Sequence, residues 1–243
     1  MAGPLREFAP GVFIADGPVV SFFGFAYPTR MAVIRLPDEV LFVWSPVTLS
    51  AALKREVDAL GRVHFLVSPN RLHHLFLAEW KSAYPQALLY APPGLQRKRK
   101  DLVFDAELGE TPAPEWAADI DQVTLPGSPL LTEAVFFHRA SRTAIFADLI
   151  QNFPPGWFTG WRGTVARLDG ICAPTPGAPR EWRASFVNRR AARAALRRIL
   201  AWPIERVLIA HGEPATTEGM RFVRDAFAWL LRSDNAAALN PRS

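Results

Sequence analysis

Cysteine is all but missing from this chain. Cys172 is the only one among 243 residues, so no internal disulfide can form, which fits a reducing compartment. Long apolar runs are missing too. The longest, such as Val40 to Trp44, are strand-length, far short of the roughly 20 residues that a membrane-spanning helix needs. Met1 to Phe8 carries Pro4, Arg6 and Glu7 before any apolar block, unlike a secretory signal. A cytoplasmic chain with no membrane association is the resulting expectation. No repeat stands out at periods of about twenty to fifty residues, which excludes a solenoid. Histidine is also scarce, with five in the chain.

What is present is the composition of a soluble globular protein, 49% hydrophobic and 21% charged, which excludes disorder, a coiled coil and a collagen-like chain. The length suits a single domain over residues 1–243 that buries most of its surface without staples. Basic residues outnumber acidic ones 28 to 23, a net +5, with a pI near 9.9. Such an excess could serve an anionic partner, but much of it sits in two places, 96–100 and 188–198. In the second, Arg189, Arg193 and Arg197 lie one helical turn apart, opposite Ala192, Ala195, Leu196 and Ile199. That is a surface helix with one face in water. No base-stacking aromatics are interleaved with the arginines, so a nucleic-acid partner is not expected.

Along the chain, 11–14 reads as a strand and Asp16-Gly17-Pro18 as a turn. Residues 31–36 and 40–44 read as a hairpin around Pro37-Asp38-Glu39, apolar on both faces and therefore covered on both sides. A helix capped by Thr48 or Ser50 ends at Gly61. Strands at 63–67 and 87–91 flank a helix over 74–84, and 101–116 is irregular. A strand at 122–125 precedes a hairpin of 133–138 with 143–146. Residues 152–183 are too proline-rich for regular elements and too apolar for a linker. They read as an insertion that packs over something, as a lid or as the contact surface of a homo-oligomer. The arginine helix, a strand at 206–210 and a helix over about 217–231 complete a mixed sheet covered by helices.

Three histidines follow predicted strands at loops leading into helices, where α/β proteins place ligands. His73 and His74 follow Val67, His211 follows Ala210, and Asp148 follows Phe146 in the same way. Each of these three loops thus delivers a group able to bind a metal.

In this order of elements the chain resembles the metallo-β-lactamase superfamily. That family's first motif, T-H-x-H-x-D-H, falls on Ser68-Pro69-Asn70-Arg71-Leu72-His73-His74. Ala147-Asp148 is similar to its Gly-Asp, and Val207 to Pro214 resembles its closing strand and G-H-G-x-P loop. The resemblance covers nearly the whole chain outside the insertion. It implies an αββα four-layer sandwich and a metal centre.

The departures decide what the resemblance implies about function. The motif's two leading histidines fall on Pro69 and Arg71, which cannot ligate a divalent ion. No histidine lies between Gly127 and Glu133, where the third motif would supply one. The family's first metal site is therefore lost, while His73, His74, Asp148 and His211 stand at its second. The resemblance then implies one divalent metal, zinc or else iron or manganese, with no organic cofactor. The reaction expected is hydrolysis of a small ester, lactone or amide substrate. Arg71 near the vacated site, with Glu133 beside it, is expected to meet the substrate or complete the coordination. The alternative is a member of the same fold that binds a ligand or partner without turnover, its histidines and carboxylate satisfied by hydrogen bonds. A nucleic-acid processing enzyme is poorly served, since in-line attack on phosphate usually takes two metals.

Overall fold

Alternation of side chains along strands that are apolar on both faces builds this molecule in layers. The computed structural model describes residues 3–231. In β3 (Phe25–Arg35) and β4 (Val40–Trp44), Met31, Val33, Leu41 and Val43 point one way, while Ala32, Ile34, Phe42 and Trp44 point the other. The first set meets Leu53 and Val57 of α1 (Ala51–Leu60), Leu77 and Trp80 of α2 (Leu77–Ala83) and Leu95 of α3 (Leu95–Lys98). The second set meets Phe136 of β9 (Glu133–His138), Ile145 of β10 (Thr143–Asn152) and Leu208 of β11 (Arg206–Gly212). On the far side, Phe137, Phe146 and Ile209 pack against α6 (Arg189–Ile199) and α7 (Gly219–Ala226). Helix, sheet, sheet, helix is the result, the four-layer arrangement that the resemblance implied.

The first sheet runs in chain order from β1 (Arg6–Ala9) and β2 (Val12–Phe22) through β3, β4, β5 (Arg62–Val67) and β6 (Leu88–Ala91) to the short β7 (Ala106–Glu107). The second has the order β11, β10, β9, β8 (Ile120–Leu125). The β3–β4 hairpin forms as expected, and Ser50 caps α1, its hydroxyl accepting from Leu53 N at 3.1 Å. The arginine helix buries Ala192, Ala195, Leu196 and Ile199 against the second sheet, so the apolar stripe does the packing.

Two local expectations are corrected. No turn forms at Asp16-Gly17-Pro18, because β2 continues to Phe22. Asp16 pairs with Arg30 and Val19 with Pro28, so Gly17 and Pro18 together face Thr29. Such a bulge absorbs a proline that cannot donate to the ladder. A Cβ at Gly17 would stand 2.4 Å from Thr29 Oγ1 and 2.6 Å from Val47, so only glycine fits.

The 152–183 stretch is not devoid of regular elements either. It holds α4 (Gly160–Asp169) and α5 (Arg180–Ser185). Pro154, Pro155, Pro174, Pro176 and Pro179 all fall outside them, where a missing N–H costs nothing. Phe153, Phe158, Ala166 and Ile171 form a small core of their own with Phe25 and Tyr27 of β3. The insertion thereby braces the β2–β3 hairpin.

Candidate metal centre

Strand ends deliver the site. Three of the four residues expected to ligate a metal converge: His73 in the loop after β5, Asp148 in β10 and His211 in β11 offer ligand atoms within 4.8 Å of one another. Asp148 owes its aim to a bulge. Phe146 pairs with Ile209 and Gln151 with His211, so residues 147–150 face Ala210 alone. Bulges of this kind re-aim side chains.

Both imidazoles reach the one carboxylate. His73 Nε2 lies 3.2 Å from Asp148 Oδ2, and His211 Nε2 lies 3.2 Å from Asp148 Oδ1. Each ring is fixed from behind. His73 Nδ1 pairs with Ser45 Oγ at 2.6 Å, and His211 Nδ1 lies 2.7 Å from Pro28 O. A carbonyl only accepts, so His211 Nδ1 carries the hydrogen and Nε2 of the neutral ring presents a bare lone pair to a carboxylate oxygen. Two lone pairs at that distance repel unless a cation, proton or metal, stands between them. Zinc bonds of about 2.0–2.1 Å set tetrahedral ligand atoms about 3.3 Å apart, close to the length of each contact, with the two contacts running to different oxygens of the one carboxylate. The donor set therefore fits a divalent metal, and its second-layer partners are of the kind that fix ligating histidines.

His74 stands apart from this group. Arg99 Nη1 donates to its Nδ1 at 3.2 Å and also to its carbonyl oxygen. A guanidinium can only donate, so the ring hydrogen sits on Nε2 and neither nitrogen offers a free lone pair. Burial, then Lys98 and Arg99, push its pKa down to about 4. Arg71 and Glu133, expected to meet substrate, do not line the cavity. Arg71 Nη2 donates to Pro129 O at 3.0 Å. Glu133 is 0% exposed and accepts from the backbone N–H groups of Ala147, Asp148 and Leu149 at 2.8, 2.7 and 3.3 Å. Its role is to hold the bulge that carries Asp148.

Asn70 was not singled out by the sequence, yet it links these parts. Its amide nitrogen donates to Glu133 Oε2 at 3.0 Å and Asp148 Oδ2 at 2.7 Å, and its oxygen accepts from Leu72 N and His73 N. The available signal was an Asn three residues before His73, the spacing of a side chain that closes a turn. Arg30 was also missed. Its Nη1 donates to Ile209 O at 3.0 Å and Gly212 O at 2.7 Å, bracketing His211. Burial alone would raise the Asp148 carboxyl, but His73 and His211 together hold it far below the usual range. Burial and then the Asp148 charge lift Glu133 to about 8, against the N–H groups of Ala147 and Asp148 and the Asn70 amide.

The three side chains stand in the wall of a cavity of about 210 Å³. The β2–β3 hairpin contributes Phe22 and Tyr27, and α5 contributes Trp182. Trp157 and Trp161, the other insertion tryptophans, pack outside it on Phe153 and Phe25.

A family model described as "Domain of unknown function (DUF4336)" matches residues 19–158. The chain belongs to the DUF4336 family. The DUF4336 match contains His73 and Asp148 and stops before His211. No curated protein matches the chain. Among solved structures, the FIM-1 metallo-β-lactamase of Pseudomonas aeruginosa in its mono-zinc form is similar, at 10% identity and a TM-score of 0.61, covering 96% of each chain. A metallo-β-lactamase of Hirschia baltica matches at 15% identity and a TM-score of 0.60, over 95% of this chain and 98% of that one. The metal-soaked Flv1 flavodiiron core of Synechocystis matches at 14% identity and a TM-score of 0.63, over 98% of this chain and 64% of that one. At these identities the likeness establishes a metallo-β-lactamase fold for this DUF4336 chain. Among the described residues, no helix is long and apolar enough to cross a membrane.

Proposed function

We propose that the chain is a mononuclear metal-dependent hydrolase acting on a small ester, lactone or amide. The observation that carries this reading is the pair of 3.2 Å contacts from two imidazoles to opposite oxygens of Asp148, with His211 Nδ1 tied to a carbonyl. His73, Asp148 and His211 hold the ion, while Ser45, Pro28 and Asn70 keep them in register. When bound, a divalent ion acidifies water and polarises a carbonyl. A cavity volume of about 210 Å³ is below the range that drug-sized ligands fill, which supports a small substrate. Residues 1–243 act in this reading as one domain.

A second reading, ligand binding without turnover, is favoured by one fact: Asp148 already has Asn70 and two imidazoles as partners, so protonated rings alone would satisfy it. Metal analysis of protein purified without chelators decides between them. Roughly one equivalent of zinc, iron or manganese is expected, lost in Asp148→Ala and His211→Ala with the fold kept. Hydrolysis of a panel of small esters, lactones and amides should vanish with it. Under about a tenth of an equivalent, unrestored by adding any of these ions, defeats the proposal.

A further inference from the structure

The cavity wall is uneven in charge. Its formally charged residues are Asp148, already engaged by Asn70 and two imidazoles, and Lys98 at the end of α3. Lys98 belongs to the basic run 96–100. Its neighbour Arg99 is neutralised by Asp101 through two bonds of 2.8 and 2.6 Å. Among the described residues no carboxylate pairs with Lys98. Its Nζ donates to Arg71 O at a long 3.3 Å, which leaves donor capacity on an ammonium with three hydrogens. His74, in the same wall, adds a neutral N–H donor, since Arg99 occupies its Nδ1. The rest of the lining is mostly apolar, with Val20, Phe22, Leu75, Phe76 and Trp182 beside the uncharged polar groups of Ser21, Thr29 and Gln151.

We propose that the cavity takes a small amphipathic carboxylate, an apolar body bearing one negative charge, with Lys98 holding the carboxylate. This rests on the reading of the site as a hydrolase, whose scissile bond would face the His–Asp–His group. One ammonium and one neutral N–H suit a monoanion. A phosphate dianion is usually met by several cations or a nest of backbone N–H groups, and the lining offers neither. The apolar wall selects against a fully hydrated ion, because burying its surroundings would cost solvation that one lysine does not return.

The test compares 4-phenylbutyrate with its neutral isostere 4-phenylbutanamide by isothermal titration. Full-length protein is used both zinc-loaded and EDTA-stripped, as wild type, Lys98→Met and Lys98→Arg. Lys98 is exposed, so the fold should tolerate both changes and the charge preference should be modest. The acid is expected to bind about fivefold more tightly than the amide at low salt, with or without zinc. Lys98→Met should abolish that preference and Lys98→Arg should keep it. Equal affinities in wild type, no measurable binding of either compound, or a preference that survives Lys98→Met overturns the inference. A preference that disappears with zinc places the carboxylate on the metal and overturns it as well, while leaving the hydrolase reading intact. Failure of that reading shows separately, as a lack of bound zinc, and the lysine dependence in EDTA is still decided.

Discussion

Ser45 offers the sharpest test of the proposed metal centre, because it touches His73 without itself lining the cavity. It is buried, its hydroxyl sits 2.6 Å from His73 Nδ1, and its backbone is held at φ 50. Loss of a group that orients a ligating histidine costs about 10–100-fold in metal affinity. The low end applies here. The His73 ring stays confined by Trp44 and His211, at centroid distances of 6.0 and 5.3 Å, so it cannot swing far once the hydroxyl is gone. Ser45→Ala should therefore weaken zinc binding about tenfold, or about 1.4 kcal/mol. Ser45→Gly deletes the same hydroxyl but relieves the left-handed backbone, which costs an L-residue about 1–2 kcal/mol. The two variants should lose zinc affinity equally, whereas metal-free Ser45→Gly should be about 1 kcal/mol the more stable, once the entropy of glycine is subtracted. Competition against a chromophoric chelator measures the first quantity and urea unfolding of the stripped protein the second. Zinc affinity within about twofold of wild type in both variants would show that His73 is not the ligand inferred here.

Other consequences can be measured independently. Glu133 is lifted to about 8 from 4.5 by burial and then by Asp148. The folded state thus holds its proton more tightly, and this contribution is complete below about pH 4.5 and is lost as pH rises through 8. The urea midpoint of stripped protein should fall over that window, more gently in Glu133→Gln; a wild-type profile no steeper than the variant's would refute the assignment. Arg30→Met strands the carbonyls of Ile209 and Gly212 and should cost about 2–3 kcal/mol by urea unfolding, together with zinc affinity. A stability unchanged from wild type would mean those carbonyls find other donors. Gly212→Ala sets a Cβ 2.2 Å from Asn152 O at φ 96. Soluble yield and melting temperature should both drop sharply, and a wild-type melting curve would contradict the geometry. Ser50→Ala removes the α1 cap and should cost about 1 kcal/mol with zinc binding untouched.

The layers were legible because β3 and β4 are apolar at every other position on both faces, which only a sheet covered twice can satisfy. His73, Asp148 and His211 were legible because each stands just after a strand that the sequence predicts, although β10 and β11 run on through Asp148 and His211. His74 could not be separated from His73 by sequence, since what removes it is Arg99, 25 residues away in the chain. Arg71 was expected at the site from its place in the first motif and Glu133 from the interval of the third, and only the bulge in β10 reveals that the Glu133 carboxylate faces backbone amides. The two helices of the insertion were hidden by prolines that lie before and between them. Arg30 was hidden because its partners are carbonyl oxygens, which leave no mark on composition.

Continuing the β9–β10 register beyond Phe136 and Ile145 would set Glu133 opposite Asp148, main chain to main chain. The glutamate side chain takes over that pairing instead. The Asp148 carboxylate is therefore mounted on a stretch of strand whose main chain is tethered by a residue that a solvent molecule never meets. Anyone transplanting the two imidazoles and the aspartate into another sandwich would have to carry that hidden glutamate, and the asparagine above it, along with them. Inventories of cavity walls would leave both behind.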